Sequence, residues 1–194
     1  MKRPAYEALV LGASAGGVEA LLYLFTALDR GGCRLPMVVV QHLPEEGSSR
    51  LAEIFAARLS RPVKEAEDKE PLLEGRLYVA APGYHLSIEP DRSFSLSREA
   101  PVNFSRPSID LLFESAAHVY GAALIGALLT GANEDGAAGL EQIALHGGLT
   151  LVQAPDEAAV ACMPLAALRR FTPDHVLGLQ EMAQLILRLE EVRC

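Results

Sequence analysis

Four short runs of almost unbroken apolar residues constrain this chain most: Ala8-Leu9-Val10-Leu11, Met37-Val38-Val39-Val40, residues 124–129 and residues 149–152. A strand with one wet face alternates apolar and polar side chains, whereas runs that do not alternate belong to strands covered on both faces, as in a parallel sheet. Between these runs, apolar residues recur at helical spacing: Val18, Leu21, Leu22 and Phe25; Leu51, Ile54, Phe55 and Leu59; Ile109, Leu112, Phe113 and Ala116. Two more stripes follow, at Leu140, Ile143 and Ala144 and at Met182, Leu185, Ile186 and Leu189. Each stripe needs a sheet to cover. The alternation predicts an α/β fold: a doubly wound, mostly parallel sheet with helices on both faces, joined by right-handed crossovers.

The middle of the chain breaks this rhythm. Leu77-Tyr78-Val79-Ala80 runs into Ala81-Pro82-Gly83, and the alternating segments Leu86-Ser87-Ile88 and Phe94-Ser95-Leu96 flank a Pro90-Asp91 turn. They predict an antiparallel hairpin at the sheet edge. Residues 98–107, with Pro101 and Pro107, read as a long surface loop.

Composition excludes several classes of function. The chain has 194 residues, 50% of them apolar and 22% charged, which excludes the disordered class and predicts a single domain over residues 1–194. Its 17 Lys and Arg against 25 Asp and Glu give a net charge of −8, a poor surface for nucleic acid or an anionic bilayer. Cys33, Cys162 and Cys194 are widely spaced and form neither a CxxC pair nor a zinc pattern, so reduced thiols and no metal are expected. Lys2 and Arg3 before an apolar stretch resemble a secretion signal, but Pro4 and Glu7 interrupt it. The long uncharged segment at residues 116–133 reads as a helix end followed by a buried strand. A cytoplasmic protein without membrane insertion is expected.

In open α/β sheets, chemistry collects beyond the carboxyl ends of the strands. The first strand ends in Gly12-Ala13-Ser14-Ala15-Gly16-Gly17, the second in Gln41-His42-Leu43-Pro44, and a third in Thr130-Gly131-Ala132-Asn133-Glu134-Asp135-Gly136. The first turn lacks the central glycine and later acid of a dinucleotide site, and Val18-Glu19 stand where a P-loop needs Lys and Ser or Thr. Taken singly, Ser14 and Asp135 could each cap a helix and His42 could be a packed core side chain. Together on one rim they are the parts of a nucleophile, its general base and the carboxylate that orients the base. The order serine, histidine, aspartate, with the serine on the first strand, differs from the order in α/β-hydrolases with a GxSxG elbow.

With these segments and Val63-Lys64-Glu65-Ala66-Glu67-Asp68, Arg106-Pro107-Ser108-Ile109-Asp110, Asp135-Gly136-Ala137-Ala138-Gly139 and Met163-Pro164, the chain resembles the catalytic domain of bacterial chemotaxis protein-glutamate methylesterases. The resemblance implies hydrolysis of glutamyl methyl esters on the cytoplasmic helices of methylated chemoreceptors, with deamidation of receptor glutamines a possible companion activity. It further implies Ser14 as nucleophile, His42 as general base and Asp135 as its partner, with no cofactor. The amides after Ser14 are expected to form part of an oxyanion hole on physical grounds. The best-known members carry a receiver domain ahead of this one; none is expected here, which leaves a separate regulatory protein as a route of control. Ala132-Asn133 stand where the family often has Met-Gly, and Ala15 where it often has threonine. Two other readings stay open: a non-catalytic receptor-binding or regulatory module with the same fold, and an esterase or amidase for another substrate.

Overall fold

The computed structural model describes residues 5–42 and 50–191. Seven parallel strands form one sheet: β1 (Ala8–Ala13), β2 (Met37–Gln41), β3 (Val63–Glu65), β4 (Leu77–Val79), β7 (Leu124–Leu128), β8 (Leu149–Gln153) and β9 (His175–Leu177), in the order β3-β4-β2-β1-β7-β8-β9. Each expected apolar run is one of the central strands, and β1, β2, β7 and β8 are buried at every position.

Alternate side chains of these strands enter two separate cores. Leu9, Leu11, Met37 and Val39 pack with helices α1 (Gly17–Arg30), α2 (Leu51–Ala56) and α6 (Leu179–Glu191). Ala8, Val10, Val38 and Val40 pack on the other face with α3 (Ile109–Tyr120), α4 (Ala137–Leu145) and α5 (Cys162–Arg170). The period-2 pleat thus turns continuous apolar runs into two dry layers.

The hairpin of β5 (His85–Ile88) and β6 (Phe94–Ser97) is antiparallel, as the alternation requires. It makes a two-stranded sheet of its own rather than extending the main one. Leu86, Ile88 and Phe94 bury against Ile109, Leu112 and Phe113, and the Ile88 N–H donates to Ser115 Oγ (3.1 Å). The edges of the parallel sheet belong instead to β3 and β9, three-residue strands whose mixed composition gives little sequence signal.

β1 lies between β2 and β7, so the chain leaves it to one side and later returns on the other. The crevice at such a switch point opens above the carboxyl ends of β1, β2 and β7, where Ser14, His42 and the segment after β7 stand.

Phe25 is fully buried and meets Phe55 edge to face at 5.2 Å, joining α1 to α2. Phe25→Ala is expected to lower stability by about 3–5 kcal/mol through lost transfer energy and a residual cavity. Urea unfolding of the two chains measures the difference.

Candidate active site

Ser14 follows the last residue of β1, and its N–H donates to the Thr130 carbonyl (2.9 Å) while its own carbonyl accepts the Gly17 N–H (2.8 Å). The N-cap of α1 is Gly16, so the Ser14 hydroxyl is not spent as a cap. Gly16 has φ 75° and lies so close to Ala159 that a Cβ would come within 2.6 Å of its methyl carbon. An ordinary side chain there would be both strained and crowded. Ala15 and Gly16 are exposed ahead of the helix.

Parallel pairing of β1 with β2 sets Ala13 beside Gln41, and the His42 N–H donates to the Ala13 carbonyl (3.0 Å). The buried Gln41 carboxamide then ties the next residues of both strands together, its Nε2 donating to the carbonyls of Ser14 and His42, each at 2.8 Å. Its Oε1 lies against Gly17, where a Cβ would come within 2.0 Å. Only glycine lets this amide sit there.

His42 Nε2 is 2.9 Å from Asp135 Oδ2. Asp135 is completely buried and accepts four further hydrogen bonds. Oδ2 takes the Ile109 N–H (2.7 Å); Oδ1 takes Ser108 Oγ (3.0 Å), the Asp110 N–H (3.2 Å) and Asn103 Nδ2 (3.4 Å). Two of these donors are first-turn amides of α3, where the helix dipole favours an anion. Burial raises the Asp135 carboxyl, but the bonds from His42 and from the Ile109 and Asp110 amides outweigh it, and the net shift is below the usual carboxylate range. The N-cap of α4 is Gly136 and has no side-chain cap, so Asp135 turns away from its own helix.

With Nε2 donating to Asp135, Nδ1 is the bare nitrogen of the His42 ring. Asn133 Nδ2 stands 3.4 Å from it, oriented by its own Oδ1, which accepts the Asp135 N–H (3.2 Å). No hydrogen bond joins Ser14 Oγ to His42 among the described residues. The three expected residues therefore share one rim, with His42 and Asp135 directly bonded. Leu43, Pro44, Glu45 and Glu46 lie outside the described residues.

Several supporting residues escaped the sequence reading, namely Gln41, Asn103, Ser108, Asp110 and Thr130. Thr130 Oγ1 lies 2.8 Å from the Ala15 carbonyl and accepts the Val160 N–H (2.9 Å), pinning the turn around Ser14. The block Arg106-Pro107-Ser108-Ile109-Asp110 was visible, but its purpose, presenting donors to Asp135, was not. Arg106 braces its own loop, with Nη1 donating to the carbonyls of Arg98 (3.3 Å) and Glu99 (3.1 Å). Elsewhere on the surface of this half of the sheet, Arg61 is buried on Asp29, Arg50 pairs with Glu53, and Lys64 pairs with Glu67 and Glu70.

Asp110 Oδ1 accepts the N–H groups of Gly136 (2.9 Å) and Gly139 (2.7 Å), and its Oδ2 accepts from Asn103 Nδ2 (3.0 Å). Burial, opposed by the Gly139 amide and reinforced by the Asp135 charge, pushes its carboxyl up to about 6. A cleft of about 380 Å³ lined by Asn103, Asp110, Glu134, Ala137, Arg169 and others borders this carboxylate. Among the described residues no cluster of three or more His, Cys, Asp or Glu side chains could hold a metal ion. None of their helices is long and apolar enough to cross a membrane.

A doubly wound sheet with serine, histidine and a buried aspartate at its switch point defines a hydrolase-type α/β protein. The CheB methylesterase family model matches residues 9–186. A relative in Leptospira interrogans that bears the name protein-glutamate methylesterase/protein-glutamine glutaminase is 46% identical over 96% of both chains. A protein of the same kind in Hahella chejuensis is 38% identical over 93% of this chain and 50% of its own. The crystal structure of the Thermotoga maritima CheB methylesterase catalytic domain superposes with a TM-score of 0.89 at 28% identity, covering 96% of this chain and all of that one. The chain belongs to the CheB methylesterase family, whose members are carboxylic ester hydrolases.

The two carboxylates have opposite pH signatures. The folded state holds the Asp110 proton more tightly than the unfolded chain does, so its contribution to stability is present below about pH 4 and is lost as pH rises through about 6. Asp135 contributes above the ordinary carboxylate range, and that contribution is lost as pH falls through its lowered value. Carboxyl-carbon NMR is expected to find a group titrating near pH 6 that Asp110→Asn removes. A midpoint for Asp110 at or below pH 4 contradicts this account of its burial.

Proposed function

We propose that this protein is a serine hydrolase that cleaves glutamyl methyl esters on the cytoplasmic helices of chemoreceptors, with Ser14 as nucleophile, His42 as general base and Asp135 as the carboxylate that orients it. The observation that carries this reading is the 2.9 Å bond from His42 Nε2 to the buried Asp135, on the same rim as a serine that caps no helix. Membership of the methylesterase family and the names of the relatives support the substrate class. The two cores on either side of one sheet support a single catalytic domain, and the substrate's location implies action in the cytoplasm.

The reaction begins when Ser14 Oγ attacks the ester carbonyl and His42 Nδ1 takes the hydroxyl proton. Asn133 yields that nitrogen as the serine approaches. Asp135 stabilises the imidazolium through Nε2. The amides of Ala15 and Gly16, exposed residues that follow Ser14, receive the oxyanion of the tetrahedral intermediate. The intermediate collapses, the C–O bond breaks and methanol leaves with the proton from His42. Water, deprotonated by His42, then attacks the acyl-serine and releases the glutamyl carboxylic acid and free Ser14. The same sequence on a glutamine side chain releases ammonia, the second activity in the relatives' names.

Methanol release from a methylated receptor fragment is expected for the native chain and is expected to vanish in Ser14→Ala. Asp135→Asn is expected to slow release by about 10⁴-fold, because the imidazole loses the partner that fixes its tautomer. A native chain that releases no methanol, or a Ser14→Ala chain that still does, overturns the proposal.

A further inference from the structure

Residues 102–105 form a two-residue hairpin turn closed by two backbone bonds, Val102 N–H to the Ser105 carbonyl (3.1 Å) and Ser105 N–H to the Val102 carbonyl (2.8 Å). Both central residues have positive φ, 49° at Asn103 and 61° at Phe104, as a type I′ turn requires. Asparagine tolerates that region and glycine prefers it, but a bulky aromatic is an outlier there. Phe104 is also fully exposed, although the phenyl ring is among the larger apolar groups in the chain. An exposed apolar side chain by itself needs no explanation. One held in a conformation that glycine would adopt without strain, with no packing gained, contributes nothing to folding.

The turn is anchored at the active site on both sides of this ring. Asn103 Nδ2 bonds Asp110 Oδ2 and Asp135 Oδ1, and Ser105 Oγ lies 3.4 Å from Asn133 Nδ2, which also reaches His42 Nδ1. Phe104 therefore projects from a fixed position on the rim of the His42–Asp135 centre. The adjoining loop, residues 98–107, carries Arg98 and Arg106 against one acid, Glu99, on a chain of net charge −8: exposed Arg98 stacks over the Tyr84 ring at 4.6 Å, and Arg106 closes the loop from within. Local positive charge beside an apolar knob suits a protein segment that is rich in glutamyl groups and carries an apolar side chain next to the reacting one.

We propose that Phe104 is the specificity anchor for the protein substrate, an aromatic side chain that packs on an apolar residue of the glutamyl-bearing helix and so holds the ester over the rim. This rests on the methylesterase reading above. On this proposal a small ester or a small serine-directed reagent gains nothing from the ring, whereas a protein helix does. The strain at Phe104 is retained because glycine at this position would offer nothing to grip.

The experiment compares the native chain with Phe104→Gly and Phe104→Tyr, measuring kcat/KM for methanol release from a methylated receptor fragment and the rate of Ser14 labelling by a small fluorophosphonate. The ratio of the two rates is expected to fall roughly 10- to 100-fold in Phe104→Gly, mainly through KM, and to be largely restored in Phe104→Tyr. Phe104→Gly is expected to melt a few degrees higher, so a lost ratio cannot come from misfolding. An unchanged ratio, with both rates intact or both reduced together, overturns the anchor while native methanol release still upholds the methylesterase reading. A native chain that releases no methanol refutes that reading and the anchor with it. An unchanged ratio together with a shift from dimer to monomer in sedimentation makes Phe104 a contact between copies of this chain, which also overturns the proposal.

Discussion

A buried negative charge organises one whole side of this protein. Asp135 has no contact with water, and an isolated carboxylate in that position would be far too costly to keep ionised. It is kept charged by five hydrogen bonds, two of them from amides at the start of α3. Asp110, inside the first turn of α3, returns the arrangement by accepting the Gly136 and Gly139 amides at the start of α4. Asp110 in the first turn of α3 and Asp135 just ahead of α4 thus each satisfy unpaired N–H groups at the start of the other helix. Gly139 permits the close approach, since a Cβ there would meet the Asp110 backbone at 2.9 Å.

That exchange fixes the imidazole as well. His42 stands at the end of β2, and its Nε2 can donate only where the α3–α4 pair has placed Asp135 Oδ2. The serine side is set by different means. Gln41 ties the carbonyls of Ser14 and His42, while Thr130 grips Ser14 through its carbonyl and Ala15 through its hydroxyl. The rim is held together because backbone groups of β1, β2 and β7 share these few buried polar side chains.

Much of this was legible in the residues. The non-alternating runs identified the central strands because covering both faces leaves no polar position, and the helical stripes identified five of the six α-helices among the described residues. The short edge strands β3 and β9 were not legible: three residues of mixed polarity carry no period. α5 was missed for a similar reason, because Met163, Pro164, Ala166 and Ala167 bury small or irregular side chains rather than a strong apolar stripe. The hairpin was legible as a hairpin, but its docking on α3 instead of the sheet edge depends on three-dimensional packing that alternation does not encode.

The sequence by itself determined the layered α/β architecture, the glycine turn around Ser14 and the set of side-chain types on one rim, because these follow from local periodicity and from residues adjacent in the chain. The tertiary structure decided which polar residues serve that rim. Asn103, Ser108 and Asp110 lie 25 to 32 positions from Asp135, and only the packing of α3 on α4 brings their donors to one carboxylate. It also decided the state of the two acids: Asp110 and Asp135 are the same residue type, yet one holds its proton to about pH 6 and the other releases it early. Burial raises both, but the bonds from His42 and the α3 amides outweigh it at Asp135, while the Asp135 charge adds to it at Asp110, and none of these partners is written in the chain beside the residue it serves.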